Sequence, residues 1–209
     1  RNAHVQNQEA ELLRATRRAS AAAAIILTAA GGPAAAIEFA GHEWRIANGD
    51  VSVVAHQGRQ ALRVAGGRVW LEDGEIADGV IEFDAAYGEA QAFLGAAWRA
   101  ESDERYEDVY LRAHLSGKRD ALQYPPKENG LSAWQIFADG HAIASVDHDF
   151  SGWNRVKIVI MGDRADIYVN SEKPVLHIPD LKTDIKSGGL GLWAFSLAGE
   201  PVHFSNFSV

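Results

Sequence analysis

The chain has 209 residues, 47% of them hydrophobic, which is enough to bury a full core and excludes disorder as its general state. Its net charge is −8 and no basic block follows the N-terminal region. That excludes nucleic acid and acidic membrane surfaces as partners, since both need clustered Lys and Arg. It has no cysteine, so disulfides, thiolate zinc sites and a cysteine nucleophile are excluded; a metal would need oxygen or imidazole ligands, and a calcium ion suits that set.

Residues 1–36 differ in composition from all that follows. Arg14, Arg17 and Arg18 precede an alanine-rich apolar run containing Ile25, Ile26 and Leu27. Gly31, Gly32 and Pro33 break it, and Ala34, Ala35 and Ala36 supply the small residues a signal peptidase needs. A targeting segment is therefore expected at 1–36, with a domain from 37 to 209 and a protein that is exported to the periplasm or beyond. The apolar run is too short to span a hydrocarbon layer of roughly 30 Å. The Arg17-Arg18 pair resembles a twin-arginine signal, although Ala19 and Ser20 stand where bulky residues are usual. The alternative is an alanine-rich helix at the domain edge. The segment carries four of the 20 basic and two of the 28 acidic residues, so its removal takes the net charge from −8 to −10.

From Ile37 onward, period-two alternation recurs between Gly, Asn and Asp turns, and no helical period holds over three turns. Strands are predicted at 51–55 and 61–65 around a turn at His56 to Arg59, then at 69–71 before a polar turn through Asp73 and Gly74. Residues 79–87 follow, with Ile81, Phe83 and Ala85 on one face and Glu82 and Asp84 on the other. Strands at 93–99, 107–114 and a central one at 132–137 come next. The clearest hairpin joins 153–161 to 164–170 through Gly162 and Asp163, with Val156, Ile158 and Ile160 facing inward. Strands at 189–195 and 202–209 close the chain. About thirteen short strands without helical crossovers predict an all-β fold, a two-sheet antiparallel jelly-roll sandwich.

Three stretches carry a resemblance. They are Trp153-Asn154-Arg155-Val156-Lys157-Ile158 with Ala165 to Asn170, then Gly188-Gly189-Leu190-Gly191-Leu192-Trp193, then Phe204-Ser205-Asn206-Phe207. In this order they resemble the concanavalin A-like lectin and glucanase superfamily, and within it the laminin-G-like domains and the 3-keto-disaccharide hydrolases. The resemblance spans roughly 39–209 and implies the sandwich fold. It leaves activity open, because this fold hosts binders and enzymes alike. A further stretch, Tyr110 to Gly117 followed by Asp120 to Pro126, Asn129-Gly130 and Ser132 to Gln135, is similar to bacterial members with a strand ending in Arg-Pro-His. Here Ala113 replaces that proline, and Lys118-Arg119 stands in place of a Gly-Asn-Pro turn.

Tyr110, Arg112 and His114 lie at i, i+2 and i+4, so they project from one face of a strand while Leu111 and Ala113 turn to the core. Trp134 and Gln135 on the next strand, and Arg99 at the end of 93–99, are expected to complete a wall. Gln123, Tyr124 and Asn129 belong to the intervening polar stretch and join the expected ligand-binding set. Aromatic planes stack on pyranose faces, while Arg, Gln and Asn fork onto hydroxyl pairs, so such a face suits a carbohydrate. The competing reading is a solvated sheet face whose long side chains cover apolar neighbours.

Other signals point nowhere. Glu82 and Asp84 share a strand face, but Glu89 is out of register with them, so no glycosidase carboxylate pair is assigned. Asp147, His148 and Asp149 are adjacent and cannot converge on one metal. His42, His56, His141, His177 and His203 lack metal-like spacing, and Trp44, Trp70, Trp153 and Trp193 are expected in the core. Three functions remain: a carbohydrate-recognition domain; a sugar-processing hydrolase or lyase, implied by the resemblance, with His114 as acid or base and Arg112 stabilising negative charge; and a protein-interaction module of laminin-G-like type.

Overall fold

The computed structural model describes residues 35–133 and 139–209; the segment read as targeting and residues Trp134 and Gln135 lie outside them. Fifteen strands are described: β1 (Ala36–Phe39), β2 (His42–His56), β3 (Arg59–Ile76), β4 (Gly79–Ala86), β5 (Ala92–Ser102), β6 (Arg105–Arg112), β7 (Leu122–Gln123), β8 (Lys127–Glu128), β9 (Leu131–Ser132), β10 (Ile143–Ala144), β11 (Asn154–Met161), β12 (Arg164–Val169), β13 (Leu176–Ile178), β14 (Gly188–Ser196) and β15 (Val202–Ser208). One 3-10 turn (Ala113–Leu115) follows β6. Among the described residues no helix is long and apolar enough to cross a membrane.

The strands form one hydrogen-bonded antiparallel ribbon that folds over itself into two layers, because β2 and β3 are long enough to belong to both. Residues 67–76 of β3 pair with β14, which pairs with β5, then β6, β7 and β10; this is the first layer. Residues 62–64 of β3 pair with β15, then β4, β11, β12 and β13; this is the second. The fold turns where Gly49 on β2 meets Gly66 and Gly67 on β3. A Cβ on Gly49 would lie 2.4 Å from the Gly66 carbonyl oxygen, and one on Gly67 2.3 Å from that of Asn48. Only glycine lets the two backbones approach this closely at the corner.

Between the layers lies the core. Trp44, Val69, Leu94, Trp98, Leu111 and Leu192 of the first layer pack in one cluster with Phe83, Val156, Ile158, Ile167 and Phe204 of the second. Each fully buried Leu, Ile or Phe of this kind contributes roughly 1.5–3 kcal/mol relative to exposure. The predicted hairpin is present, with Val156 opposite Val169 and Ile158 opposite Ile167. Gly162 takes φ +58°, the positive value that a two-residue hairpin turn asks of its first central position.

Three predicted boundaries move. The strands at 61–65 and 69–71 are one 18-residue strand, and the chain stays extended through Asp73 and Gly74. The strand predicted at 107–114 ends at Arg112, and His114 belongs to the 3-10 turn. Of the strand predicted at 132–137, only Ser132 is in a described strand, the exposed end of a small hairpin rather than a central position. At the other end β1 starts at Ala36, and the Ala35 carbonyl accepts a hydrogen bond from Ile46 N at 2.7 Å.

Candidate functional site

The first layer has an outer face opposite the core, and strand register decides what stands on it. Cross-strand partners share a face, so Arg68, Trp193, Gly95, Tyr110 and Gln123 make one row across five strands. A second row runs Trp70, Gly191, Ala97, Asp108, and a third Phe195, Phe93, Arg112. The middle of the first two rows is glycine or alanine, and the outer positions are large. Trp70 lies across Gly191, where a Cβ would come within 2.5 Å of its ring. Trp193 and Tyr110 meet edge to face across Gly95, centroids 5.7 Å apart. The result is a trough walled by aromatic rings. Trp70, Ala97 and Tyr106 form a small apolar cluster of their own beneath it, separate from the main core.

Tyr110, Arg112 and His114 stand together, the first two by strand alternation and His114 from the 3-10 turn that follows. All three surround Phe93: the rings of Tyr110 and His114 lie 6.0 and 5.3 Å from it, and the Arg112 guanidinium 5.9 Å. Leu111 and Ala113 are in the core. Gln123 joins the group by accepting the Tyr110 hydroxyl proton. Arg112 is ion-paired with Asp120, while its Nε is buried without a partner. His114 has its pKa held below the usual imidazole value, first by burial and then by the nearby Arg112 charge, and its Nδ1 is buried without a partner. It is therefore neutral at physiological pH.

Three predicted residues do not join. Arg99 takes φ +50° at an irregular stretch of β5. Its guanidinium is spent on the carbonyls of Ala77 (2.8 Å), Ile185 (3.3 Å) and Gly162 (2.7 Å) and on the Asp78 carboxylate (3.0 Å), so it ties loops together. Tyr124 alternates with Gln123 and therefore points the opposite way. It stacks on Trp98 in the core and donates to Glu107 at 2.5 Å, and Glu107 in turn accepts from Thr183. Asn129 sits at the exposed β8–β9 turn with φ +50°. Trp134 and Gln135 are outside the described residues.

The trough also holds residues that the sequence reading passed over. Trp193, expected in the core, stands half-buried on the outer face, where the overlooked Asp108 also lies; Trp70 is buried, as expected, but in the small cluster with Ala97 and Tyr106 and not in the main core. The Trp193 indole N–H donates to Asp108 Oδ1 at 2.9 Å. Asp108 is almost wholly buried, and desolvation pushes its pKa up to about 7 against the opposing pull of that hydrogen bond, Arg68 and Lys127. The signal was available: Asp108 is two residues before Tyr110, and Trp193 alternates with Leu192. Trp153 is also not core; it is half-buried against His56 and beneath the Arg59 guanidinium. Trp44 is core, with its N–H on the Phe39 carbonyl.

The discounted acidic residues are accounted for. Glu82 and Asp84 face outward on the second layer, paired with Arg155 and Arg59. Asp147 and Asp149 are exposed on a loop, and His148 between them is buried against the Tyr87 hydroxyl. Among the described residues no three His, Asp or Glu side chains converge to hold a metal ion.

No protein-family model and no curated protein matches the chain. Solved structures do. The carbohydrate-binding module CBM66 from Bacillus subtilis superposes with a TM-score of 0.60 at 18% identity over 78% of this chain and 92% of that one. A Bacillus subtilis protein of unknown function with a galectin-like fold gives 0.57 at 11% identity, over 78% and 87%. The Crh5 transglycosylase in complex with NAG gives 0.51 at 15%, over 78% and 74%. At these identities the likeness shows the fold: a concanavalin A-like jelly-roll sandwich.

Proposed function

We propose that the protein binds a carbohydrate in the trough on the outer face of the first layer. The observation that carries this reading is the half-buried Trp193 ring, fixed by its N–H on Asp108 beside Tyr110 on the outer face. A fixed aromatic plane offers a stacking surface to a sugar ring, and Arg112 and Gln123 supply donors and acceptors for hydroxyls. Two of the structures it resembles are named as a carbohydrate-binding module and as a transglycosylase bound to a sugar, which agrees with this use of the fold. Export, read from residues 1–36, belongs to the proposal and puts the glycan outside the cytoplasm. The test is a glycan array followed by titration calorimetry. Wild type captures a defined glycan class and Trp193→Ala loses it while keeping its unfolding midpoint; equal binding by both would place the sugar elsewhere.

One observation favours turnover as a second reading. A carboxyl group whose pKa stands at about 7 is suited to proton donation at neutral pH, and Asp108 sits in the trough with Arg68 close enough to influence it. In that case a sugar-processing enzyme of the 3-keto-disaccharide hydrolase type would release product with wild type and not with Asp108→Asn or His114→Gln. Binding without product release by wild type leaves the first reading alone.

A further inference from the structure

At the end of the trough next to the sandwich corner, a cavity of about 320 Å³ is lined by Arg68, Lys127, Trp193, Phe195 and the backbone of Gly66 and Gly67. Its lining includes two cations and no carboxylate, on a chain whose net charge is −8. We infer that the sugar bound in the trough carries an anionic group, a carboxylate or a sulfate, seated between Arg68 and Lys127. This rests on the carbohydrate reading above and deepens it.

Both cations are held over one ring. The Arg68 guanidinium carbon lies 4.8 Å and Lys127 Nζ 5.3 Å from the centroid of Tyr106. Strand register fixes both positions: Arg68 is opposite Trp193, and Lys127 is opposite Tyr106. Like charges gathered in this way repel: burial first and then the Arg68 charge lower the Lys127 pKa, against the pull of the Asp108, Glu104 and Asp103 carboxylates. Arg59, Arg105, Arg112 and Arg155 each have a carboxylate oxygen within 3.1 Å.

Arg68 and Lys127 form no such pair among the described residues. The Arg68 Nε is buried without a partner, and Lys127 reaches only a neutral acceptor, the Asp103 carbonyl, at 3.3 Å. The carboxylate behind them, Asp108, has one oxygen on the Trp193 indole and is half protonated near neutrality. The pair thus keeps positive charge beside a stacking plane. A pyranose on Trp193 with an acidic substituent pointing to the corner satisfies both at once.

The experiment compares matched glycans on one array: oligogalacturonate, oligoglucuronate and oligomannuronate; their methyl esters; sulfated galactans; and neutral oligosaccharides of the same linkages. Wild type, Arg68→Gln, Lys127→Gln and Trp193→Ala are probed, each first checked for an unchanged circular-dichroism spectrum. Capture of acidic glycans at least tenfold tighter than neutral ones, lost about tenfold in either Gln variant and weakened by added salt, is the expected result. Loss on methyl esterification identifies the carboxylate as the anion, and retention of the sulfated galactans alone identifies the sulfate. If neutral glycans bind wild type as tightly as acidic ones, or both Gln variants bind acidic glycans like wild type, the inference falls and carbohydrate binding stands. If wild type captures neither kind, both fall.

Discussion

The outer faces of the two layers obey the same alternation and come out as opposite surfaces. On the second layer several charges meet their opposites across strands. Asp84 lies 2.6 Å from Arg59, Glu82 3.1 Å from Arg155, Asp166 2.6 Å from His177, and Lys157 sits 4.1 Å over the Tyr168 ring. On the first layer the polar groups are sunk among aromatic rings, and Asp108, Arg68 and Lys127 are not joined by a direct ion pair. Charges answered across strands make a solvated surface. Charges desolvated beside rings without a direct ion pair are a physical reason to propose a binding site there. This contrast, more than the presence of any residue type, supports the proposed site.

The core beneath the faces is common to both, and disturbing it gives the largest expected effect. Ile158 is fully buried on β11, opposite Ile81 and Ile167. Ile158→Ala is expected to cost roughly 2–5 kcal/mol in chemical denaturation, through lost burial and the cavity left behind. A loss below about half a kcal/mol would mean that the second layer does not close on the first.

A smaller effect separates the faces directly. Arg112→Ala is expected to weaken glycan binding by roughly 1.5–3 kcal/mol, the value of a charge-assisted hydrogen bond. Trp153→Ala, which removes an aromatic ring beside the β2–β3 turn of the second layer, is expected to leave affinity unchanged. Calorimetry on both variants breaks the comparison if Trp153 proves to be the one that matters.

The titration of the two faces should run in opposite directions. Asp108 has its pKa raised from 3.8 to about 7, so its contribution to stability is full below about 4 and is lost as pH climbs through 7. His203, on the second layer and stacked on His56 at 3.7 Å, has its pKa lowered from 6.5 to about 4, by burial and then by the neighbouring His56. Its contribution is present above about 6.5 and is lost as pH falls through 4. Urea midpoints across pH 4–8 should show Asp108→Asn gaining relative to wild type toward pH 8, and His203→Gln gaining toward pH 4. A parallel pH profile for wild type and both variants would remove the electrostatic part of the contrast.

How much of this the sequence discloses depends on whether alternation runs unbroken. The hairpin of β11 and β12 is legible residue by residue, since nothing interrupts 154–161 or 164–169 and Gly162 marks the turn. The corner is not, because Gly66 and Gly67 look like a turn although the strand continues through them. What holds it extended is a backbone contact with Gly49, 17 residues earlier in the chain. Tyr110, Arg112 and Phe93 share a face for reasons of period two alone. The same rule assigns Asp108 to that face and separates Gln123 from Tyr124, so those two were within reach. Arg99 was not: the register of β5 shifts between Trp98 and Ser102, and a positive φ there cancels the count. That Trp193 belongs outside needed only its neighbours, Leu192 and Ala194, recognised as inward.

The smallest expected effect tests the self-sufficiency of the second face. Glu82 and Arg155 are opposite charges on adjacent strands, with the arginine side chain 62% exposed. An exposed pair gains little in water and loses side-chain freedom to hold one geometry, so Glu82→Gln should cost about 0.2–1 kcal/mol, shrinking further in added salt. Arg155→Gln should cost about the same, and the double variant no more than either alone, because removing one partner leaves the other solvated rather than buried. Neither substitution should alter glycan binding. A double-mutant cycle on urea midpoints at low and high salt reads all of this. A coupling well above about 1 kcal/mol would mean that this face is more buried in solution than its exposure indicates, and that the second layer also meets a partner.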